Sequence, residues 1–180
     1  MYEPKVIHAI SGPRNISTAL MYSFAQRPNC MVIDEPFYAP FLKRTDLNHP
    51  GKKETLDSYP NSSEGSIERI NMFIRSSENK EIYLKNMAHH MVDVPWDWTK
   101  NAAHIFWIRH PRKVIRSFSK VLPNLSLSDI GIVEQANQWR KVQQFHGRKI
   151  IVDSDETVSY THLRAHETPE HLVCRLLLEK

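Results

Sequence analysis

Apolar and polar positions group along this chain into short blocks that predict strands and helices in alternation. Lys5–Ile10 reads as a short, largely buried strand. It ends abruptly in Ser11-Gly12-Pro13-Arg14-Asn15, and the spacing then turns helical from about Ser17 to Gln26, with Leu20, Phe24 and Ala25 near one face. Ser17 or Thr18 sits in the first turn, or Asn15 caps it. Arg27-Pro28-Asn29 stops the helix, and Cys30–Ile33 is strand-like again before the acidic turn Asp34-Glu35-Pro36. Strand, helix, strand in that order predicts a parallel sheet joined by a right-handed crossover.

The middle of the chain is less regular. Asn48–Ser66 holds Pro50, Gly51, Pro60 and Gly65 among polar residues and reads as a surface loop. Ser66–Ser76 predicts a helix with Ile67, Ile70 and Ile74 on one side, and Glu81–Met87 an extended segment ending at Ala88-His89-His90-Met91. Pro95–Trp98 reads as a turn or short helix. Ala103–Ile108 is the clearest strand; it runs into Arg109-His110-Pro111 and a helix to about Lys120, with Pro111 in the first turn, where no amide donor is needed. Ser126 or Ser128 is expected to cap a further helix toward Phe145, on which Val133, Ala136, Trp139 and Val142 recur at helical spacing. Trp139 then belongs to packing rather than base stacking. Lys149–Val152 closes the pattern as a strand.

Composition narrows the class. With 180 residues, 41% of them hydrophobic, the chain suits one domain or a fragment of a larger one. A net charge of +4 is too mild to diagnose nucleic-acid binding, so no specific nucleic-acid partner is expected. Cys30 and Cys174 alone exclude a disulfide-rich scaffold. No run of about 18 apolar residues could span a bilayer. The first residues lack the basic flank and long apolar core of a secretory signal. A soluble, cytoplasmic protein is the expectation; nothing in the sequence sets an oligomeric state.

The C-terminal stretch departs from this logic. His162, His166 and His171 imitate a metal tract, but spacing alone supplies neither convergent ligands nor their support, and no metal is expected.

The candidate chemistry lies at the ends of the predicted strands, where open α/β sheets bind ligands. In SGPRNIST (residues 11–18), Gly12 permits close backbone approach and Arg14 reaches an anionic oxygen. The amides of the following helix start, with Asn15, Ser17 and Thr18, form an anion nest. The loop lacks the GxxxxGK pattern and the spaced glycines of a dinucleotide site, which disfavours ATP and NAD chemistry. IRHPRKVIRSFSK (residues 108–120) places Arg109 at a strand end and Ser117 eight positions later, inside a helix. The pair would approach one phosphate where strand end and helix face meet.

These two segments, in their order and spacing, resemble the sulfotransferase superfamily, and most closely its divergent members, some of which carry branched-chain aminotransferase-like names. The likeness spans roughly residues 5–156 and implies a P-loop-like, three-layer α/β fold with a mainly parallel sheet. It implies that Gly12, Arg14, Asn15, Ser17 and Thr18 hold the 5′-phosphosulfate of 3′-phosphoadenosine 5′-phosphosulfate, and that Arg109 and Ser117 hold its 3′-phosphate. Arg14 stands where family members typically place a lysine that acts on the bridging oxygen; its planar fork differs from an ammonium. His89 or His90, with His89 preferred, would be the base that takes the proton of a hydroxyl or amine acceptor of unknown identity. DEPFY (residues 34–38) also resembles the divergent group, so Asp34 and Glu35 would orient the acceptor or Arg14. No metal is required. Residues 157–180 resemble a translated sequencing-adapter string, which implies a partial domain over 1–156, a non-native tail, and loss of the C-terminal segment that completes the family's donor pocket. Two other readings stay open: a non-catalytic nucleotide-phosphate-binding or interaction protein, and a nucleotide kinase-like phosphotransferase. Whether the chain is an enzyme is left open with them. Lys5, Lys80 and Lys85 form no arrangement that identifies a pyridoxal phosphate site.

Overall fold

The computed structural model describes residues 4–47, 49–122 and 124–157. Strands β1 (Lys5–Ser11), β2 (Cys30–Asp34), β3 (Glu81–Met87), β4 (Ala103–Ile108) and β5 (Lys149–Asp153) form one sheet in the order β2-β3-β1-β4-β5. Every neighbouring pair is parallel. Parallel neighbours need long crossovers. Helix α1 (Ser17–Ala25) lies between β1 and β2 in the chain. Helices α2 (Tyr38–Thr45), α3 (Lys52–Ser58) and α4 (Ser63–Ser76) lie between β2 and β3, and α5 (Pro111–Phe118) and α6 (Ile132–Val142) between β4 and β5.

Alternate residues of the central strands feed two cores, which is why the strands read as near-continuous apolar runs. Ile7, Ala9, Tyr83, Ile105 and Trp107 pack with Leu20, Met21 and Phe24 of α1. Ile10, Ile82, Leu84 and Phe106 pack with Ile70 of α4 and Val142 of α6. Trp139 is partly buried against this second core, edge-on to Phe106 at 5.3 Å, as the helical spacing implied. No helix among the described residues is long and apolar enough to cross a membrane.

Three local differences from the sequence reading have physical causes. The 48–66 segment is not all loop. Helix α3 buries none of its residues and so leaves no apolar stripe, while α4 begins at Ser63 behind a Ser62 cap that accepts from the Gly65 amide. Pro60 and Gly65, which look like breakers, form the packed start of α4: a Cβ on Gly65 would lie 3.1 Å from the Pro60 Cβ. Helix α2, which the pattern does not foretell, carries Pro40 in its first turn, where no donor is missed. Finally, neither Ser126 nor Ser128 caps α6. They bond each other at 2.8 Å, and Ser126 gives its amide and hydroxyl to Asp129, which closes a separate turn; the α6 cap is Gly131 at φ 64°.

The register aligns the strand ends. Ser11 faces Met87 on one side and Trp107 on the other. After β5, a helical turn over 154–157 anchors the chain through Ser154 Oγ to the Ile108 carbonyl and Thr157 Oγ1 to the Asp153 carbonyl. The tail expected from residue 158, including His162, His166 and His171, lies outside the described residues.

Under the sheet, His8 is fully buried, its Nε2 3.0 Å from Asn86 Nδ2 and its ring 5.4 Å from Trp96, Trp98 and His104. Burial, reinforced by His104, holds the His8 pKa well below the ordinary imidazole value; burial brings His104 down to about 4. Both rings are therefore neutral in the fold and take up protons once unfolded. Stability is complete above about pH 6.5 and is lost as the pH falls toward about 4, with His104 alone contributing about 3 kcal/mol over that interval. The urea midpoint should thus fall steadily from about pH 6.5 downward, and His104→Gln should flatten the slope by up to one proton. A midpoint unchanged between about pH 7 and pH 5 would contradict neutral buried rings.

Candidate functional site

The loop after β1 is strained where it faces the carboxyl edge of the sheet. Arg14 (φ 63°) and Ile16 (φ 62°) are both left-handed, a costly conformation for a β-branched residue. Ile16 is the N-cap of α1 and makes no side-chain cap, and no acidic residue stands in the first turn. The first amides of α1 therefore have no capping side chain and no first-turn carboxylate, and Ile16, Ser17 and Thr18 line a cleft, an arrangement suited to an anion. Ser17 Oγ accepts from Ser11 Oγ at 2.9 Å, so its own hydrogen remains available to donate. Thr18 is exposed beside it.

Asn15 does not cap α1. It is buried and gives Nδ2 to the Trp107 carbonyl at 2.8 Å, which fastens the loop to the end of β4. Gly12 also has a different use from the one its position suggests. A Cβ there would lie 2.6 Å from the Ile130 carbonyl, so the space beside it is filled by the turn before α6 and not by a ligand.

Arg109 and Ser117 meet through Arg14 and not directly. Arg14 Nε donates to Ser117 Oγ at 2.9 Å, and Arg109 Nη1 donates to the Arg14 carbonyl at 3.0 Å. Arg109 Nε is held by Asp155 Oδ1 at 3.0 Å, and Lys113 Nζ lies 3.2 Å from the other oxygen of the same carboxylate. Burial raises the Asp155 pKa, but hydrogen bonds and charge from Arg109 and Lys113 outweigh it and hold the carboxyl below its usual range. Asp155 had no motif to reveal it; the turn after β5 delivers it. Arg14, Asn15, Ser17, Thr18, Arg109 and Ser117 line one cleft of about 410 Å³.

Lys85 lines the same cleft and is the main residue that sequence reasoning passed over. It is 3% exposed, on β3 opposite Asp34 of β2. Its Nζ lies 3.0 Å from Asp34 Oδ1 and donates to Glu35 Oε1. A buried ammonium needs such partners, and removing them would cost about 3–5 kcal/mol. The signal available was a lysine inside an apolar strand directly across from an acidic turn. Glu35, itself at φ 43°, is thereby held at the cleft wall.

A second, larger cleft of about 810 Å³ adjoins the first, sharing Pro13, Glu35 and Met87 with it. His89 and His90 both line it. Burial pushes His90 down to about 2, helped by His89, Lys85 and Arg44; its Nδ1 stands 3.5 Å from Glu35 Oε2, too far for a sound hydrogen bond. Burial also lowers His89, but Glu134 and Asp129 oppose the shift. Both rings are neutral at pH 7; Glu134 and Asp129 favour an imidazolium at His89, whereas His90, with Glu35 beside it, is held down by burial and by His89, Lys85 and Arg44. Among the described residues, no three His, Cys, Asp or Glu side chains are grouped to hold a metal ion.

Because Gly12 is a packing position, Gly12→Ala should lower the unfolding free energy by about 1–3 kcal/mol with no ligand present. Denaturant unfolding of the ligand-free protein checks this; wild-type stability in the variant would contradict it.

The sequence pattern of a sulfotransferase domain matches residues 5–163. The chain is 34% identical over 157 residues to branched-chain-amino-acid aminotransferase-like protein 1 of Arabidopsis thaliana, covering 87% of this chain and 28% of that one. It is 34% identical over 153 residues to the corresponding protein 2 of the same plant, covering 84% and 27%. The chain thus spans little more than a quarter of those relatives' length. In three dimensions it is similar to TT1252 from Thermus thermophilus (TM-score 0.52, 11% identity, 92% of this chain and 99% of that one). It is equally similar to a kinase-designated protein from Chloroflexus aurantiacus (TM-score 0.52, 10% identity, 98% and 95%). At such identities the likeness concerns the fold alone, an all-parallel, P-loop-like α/β fold. The match across nearly all of the folded body joins a strained, uncapped loop after β1 to an arginine at the end of β4, and the chain belongs to the sulfotransferase domain family.

Proposed function

We propose that the 410 Å³ cleft binds 3′-phosphoadenosine 5′-phosphosulfate and that the family activity here is transfer of its sulfuryl group to a hydroxyl or amine held in the adjoining 810 Å³ cleft. One observation carries this reading. The uncapped start of α1, with Arg14, Lys85 and Arg109 around it, opens past Pro13, Glu35 and Met87 onto a pocket lined by His89. When bound, the donor supplies an activated sulfur whose bond to the phosphate oxygen breaks as the bond to the acceptor forms.

The chain's own residues then have separable tasks. The first-turn amides of α1 and the Ser17 hydroxyl bind the 5′-phosphosulfate. Thr18 stands beside them at the exposed rim, and Gly12 and Asn15 hold the loop to α6 and β4. Arg14 keeps a positive charge where negative charge grows on the departing phosphate, and Lys85 adds a second from below. Arg109, aimed by Asp155, and Ser117, which accepts from Arg14 and keeps its own hydrogen to donate, bind the 3′-phosphate and align the donor. His89 takes the acceptor proton, since Asp129 and Glu134 favour the imidazolium that results. His90, at about 2, is too weak a base for that step and packs against Tyr38 and Phe41 in the aromatic wall instead.

The test is calorimetric titration of the folded chain with adenosine 3′,5′-bisphosphate, with magnesium ATP as the comparison. Saturable bisphosphate binding is expected, weakened about 10–100-fold in Arg109→Ala and by a smaller factor in Ser117→Ala, since each removes a hydrogen bond to a charged phosphate. Circular dichroism melts must show that both variants fold. A folded chain that ignores the bisphosphate contradicts the donor site; binding of magnesium ATP alone would replace it with a phosphotransferase reading. Bisphosphate binding without transfer to any hydroxyl or amine would leave a non-catalytic nucleotide-binding protein.

A further inference from the structure

The two adjoining clefts carry opposite charge. Arg14, Lys85 and Arg109 line the smaller one and outnumber its one carboxylate, the shared Glu35. Among the described residues, the larger is lined by Glu35, Asp129 and Glu134 and by no lysine or arginine. The nearby Arg44 stacks 5.9 Å over Phe41 and gives Nη1 to the Val92 carbonyl. The three carboxylates are not equivalent. Glu35 is paired with Lys85, and Asp129 is satisfied by the Ser126 amide and hydroxyl. Glu134 has neither: its Oε2 is buried with no hydrogen-bond partner among the described residues.

A buried carboxylate oxygen without a donor is costly and calls for an explanation. Nearby, His90 is 4% exposed, lines the same cleft, and also has a buried ring nitrogen, Nδ1, without a hydrogen-bond partner. Ser128, His49 and His89 aside, the rest of the wall is apolar or aromatic, with Phe41, Leu42, Phe118 and Leu122 among its members. Such a pocket rewards a ligand with a hydrophobic body and N–H donors that carry positive charge.

We infer that the acceptor cleft selects a small primary amine with an aromatic or branched apolar body, its ammonium held by Glu134 and its body by the Phe41, Phe118 and Leu122 wall. This rests on the reading of the larger cleft as the acceptor site. It divides the charge between the clefts: an anionic donor is drawn to one and repelled from the other, while a cationic acceptor is sorted in the opposite sense. Carboxylate-bearing molecules of the same size are excluded by the same field.

The test uses three ligands of one skeleton, phenethylamine, 2-phenylethanol and phenylacetate, titrated calorimetrically into the folded chain near neutral pH. The amine should bind at least about 10-fold more tightly than the alcohol, and the acid should bind most weakly. Glu134→Gln should bring the amine to the level of the alcohol while unfolding at the same or a higher temperature, because it removes an unpaired buried charge. Asp129→Asn, whose carboxylate already has protein donors, should lower the amine preference less. An alcohol or acid that binds as tightly as the amine overturns the inference. So does Glu134→Gln with its amine preference intact, or amine binding that does not saturate below about 10 mM. Adenosine 3′,5′-bisphosphate is titrated in parallel. Loss of that binding alone strikes the donor site and leaves the amine pocket standing, and loss of amine selectivity alone does the reverse.

Discussion

The carbonyl of Trp107 fastens three elements at once. Asn15 Nδ2 reaches it at 2.8 Å from the loop after β1, and Gln135 Nε2 at 2.9 Å from α6. A buried carbonyl has two lone pairs, and here it accepts from two side-chain amides. That one acceptor sets the distance between the end of β4 and the strained loop. It also draws α6 close enough for the Ile130 carbonyl to fill the space that a side chain on Gly12 would need. The left-handed Arg14 and Ile16 are tolerable because Asn15, between them, is fixed to the Trp107 carbonyl. Without that clamp the first amides of α1 would have no fixed direction, and Arg14 would not lie between Ser117 and Arg109.

Glu35 does for charge what Trp107 does for geometry. It stands where the clefts adjoin, paired on one side with the buried Lys85 and facing His90 on the other. Arg14, Lys85 and Arg109 line the smaller cleft on one side of it, and Asp129, Glu134 and the neutral imidazoles of His89 and His90 line the larger cleft on the other. Electrostatics near a partly enclosed surface is weakly screened, so this division acts on any ligand that enters. It also separates the two histidines. His90 is driven down chiefly by burial, with His89, Lys85 and Arg44 adding to it, whereas at His89 Glu134 and Asp129 oppose the lowering by burial.

Much of this was legible in the residues. Apolar runs at Lys5–Ile10, Glu81–Met87 and Ala103–Ile108 announce strands because a strand buried on both faces has no polar alternation to hide it. The breaks after them, SGPRN and RHP, announce the strand ends where the sheet presents its loops. Other features were hidden for a stated reason. Helix α3 is polar all round, and α4 starts behind residues that look like breakers. Asn15 and Gly12 sit in an anion-binding motif, yet one is spent on a carbonyl 92 positions away and the other on a backbone approach from the turn before α6. Lys85 looked like one more lysine until its opposite neighbour in the sheet was known to be Asp34.

The division follows from the range of the forces involved. By itself, the sequence determined what depends on neighbours in the chain: strand and helix periods, Pro111 at the start of α5, the loop after β1, and the Arg109 to Ser117 spacing. The tertiary structure decided what depends on residues far apart. It set the strand order that puts β1 between β3 and β4, the insertion of Arg14 between Ser117 and Arg109, the delivery of Asp155 to Arg109, and the burial of His8 and His104. Local propensity acts over a turn or a strand, whereas pairing of buried charges and closure of a cleft require elements tens of residues apart to meet at fixed distances.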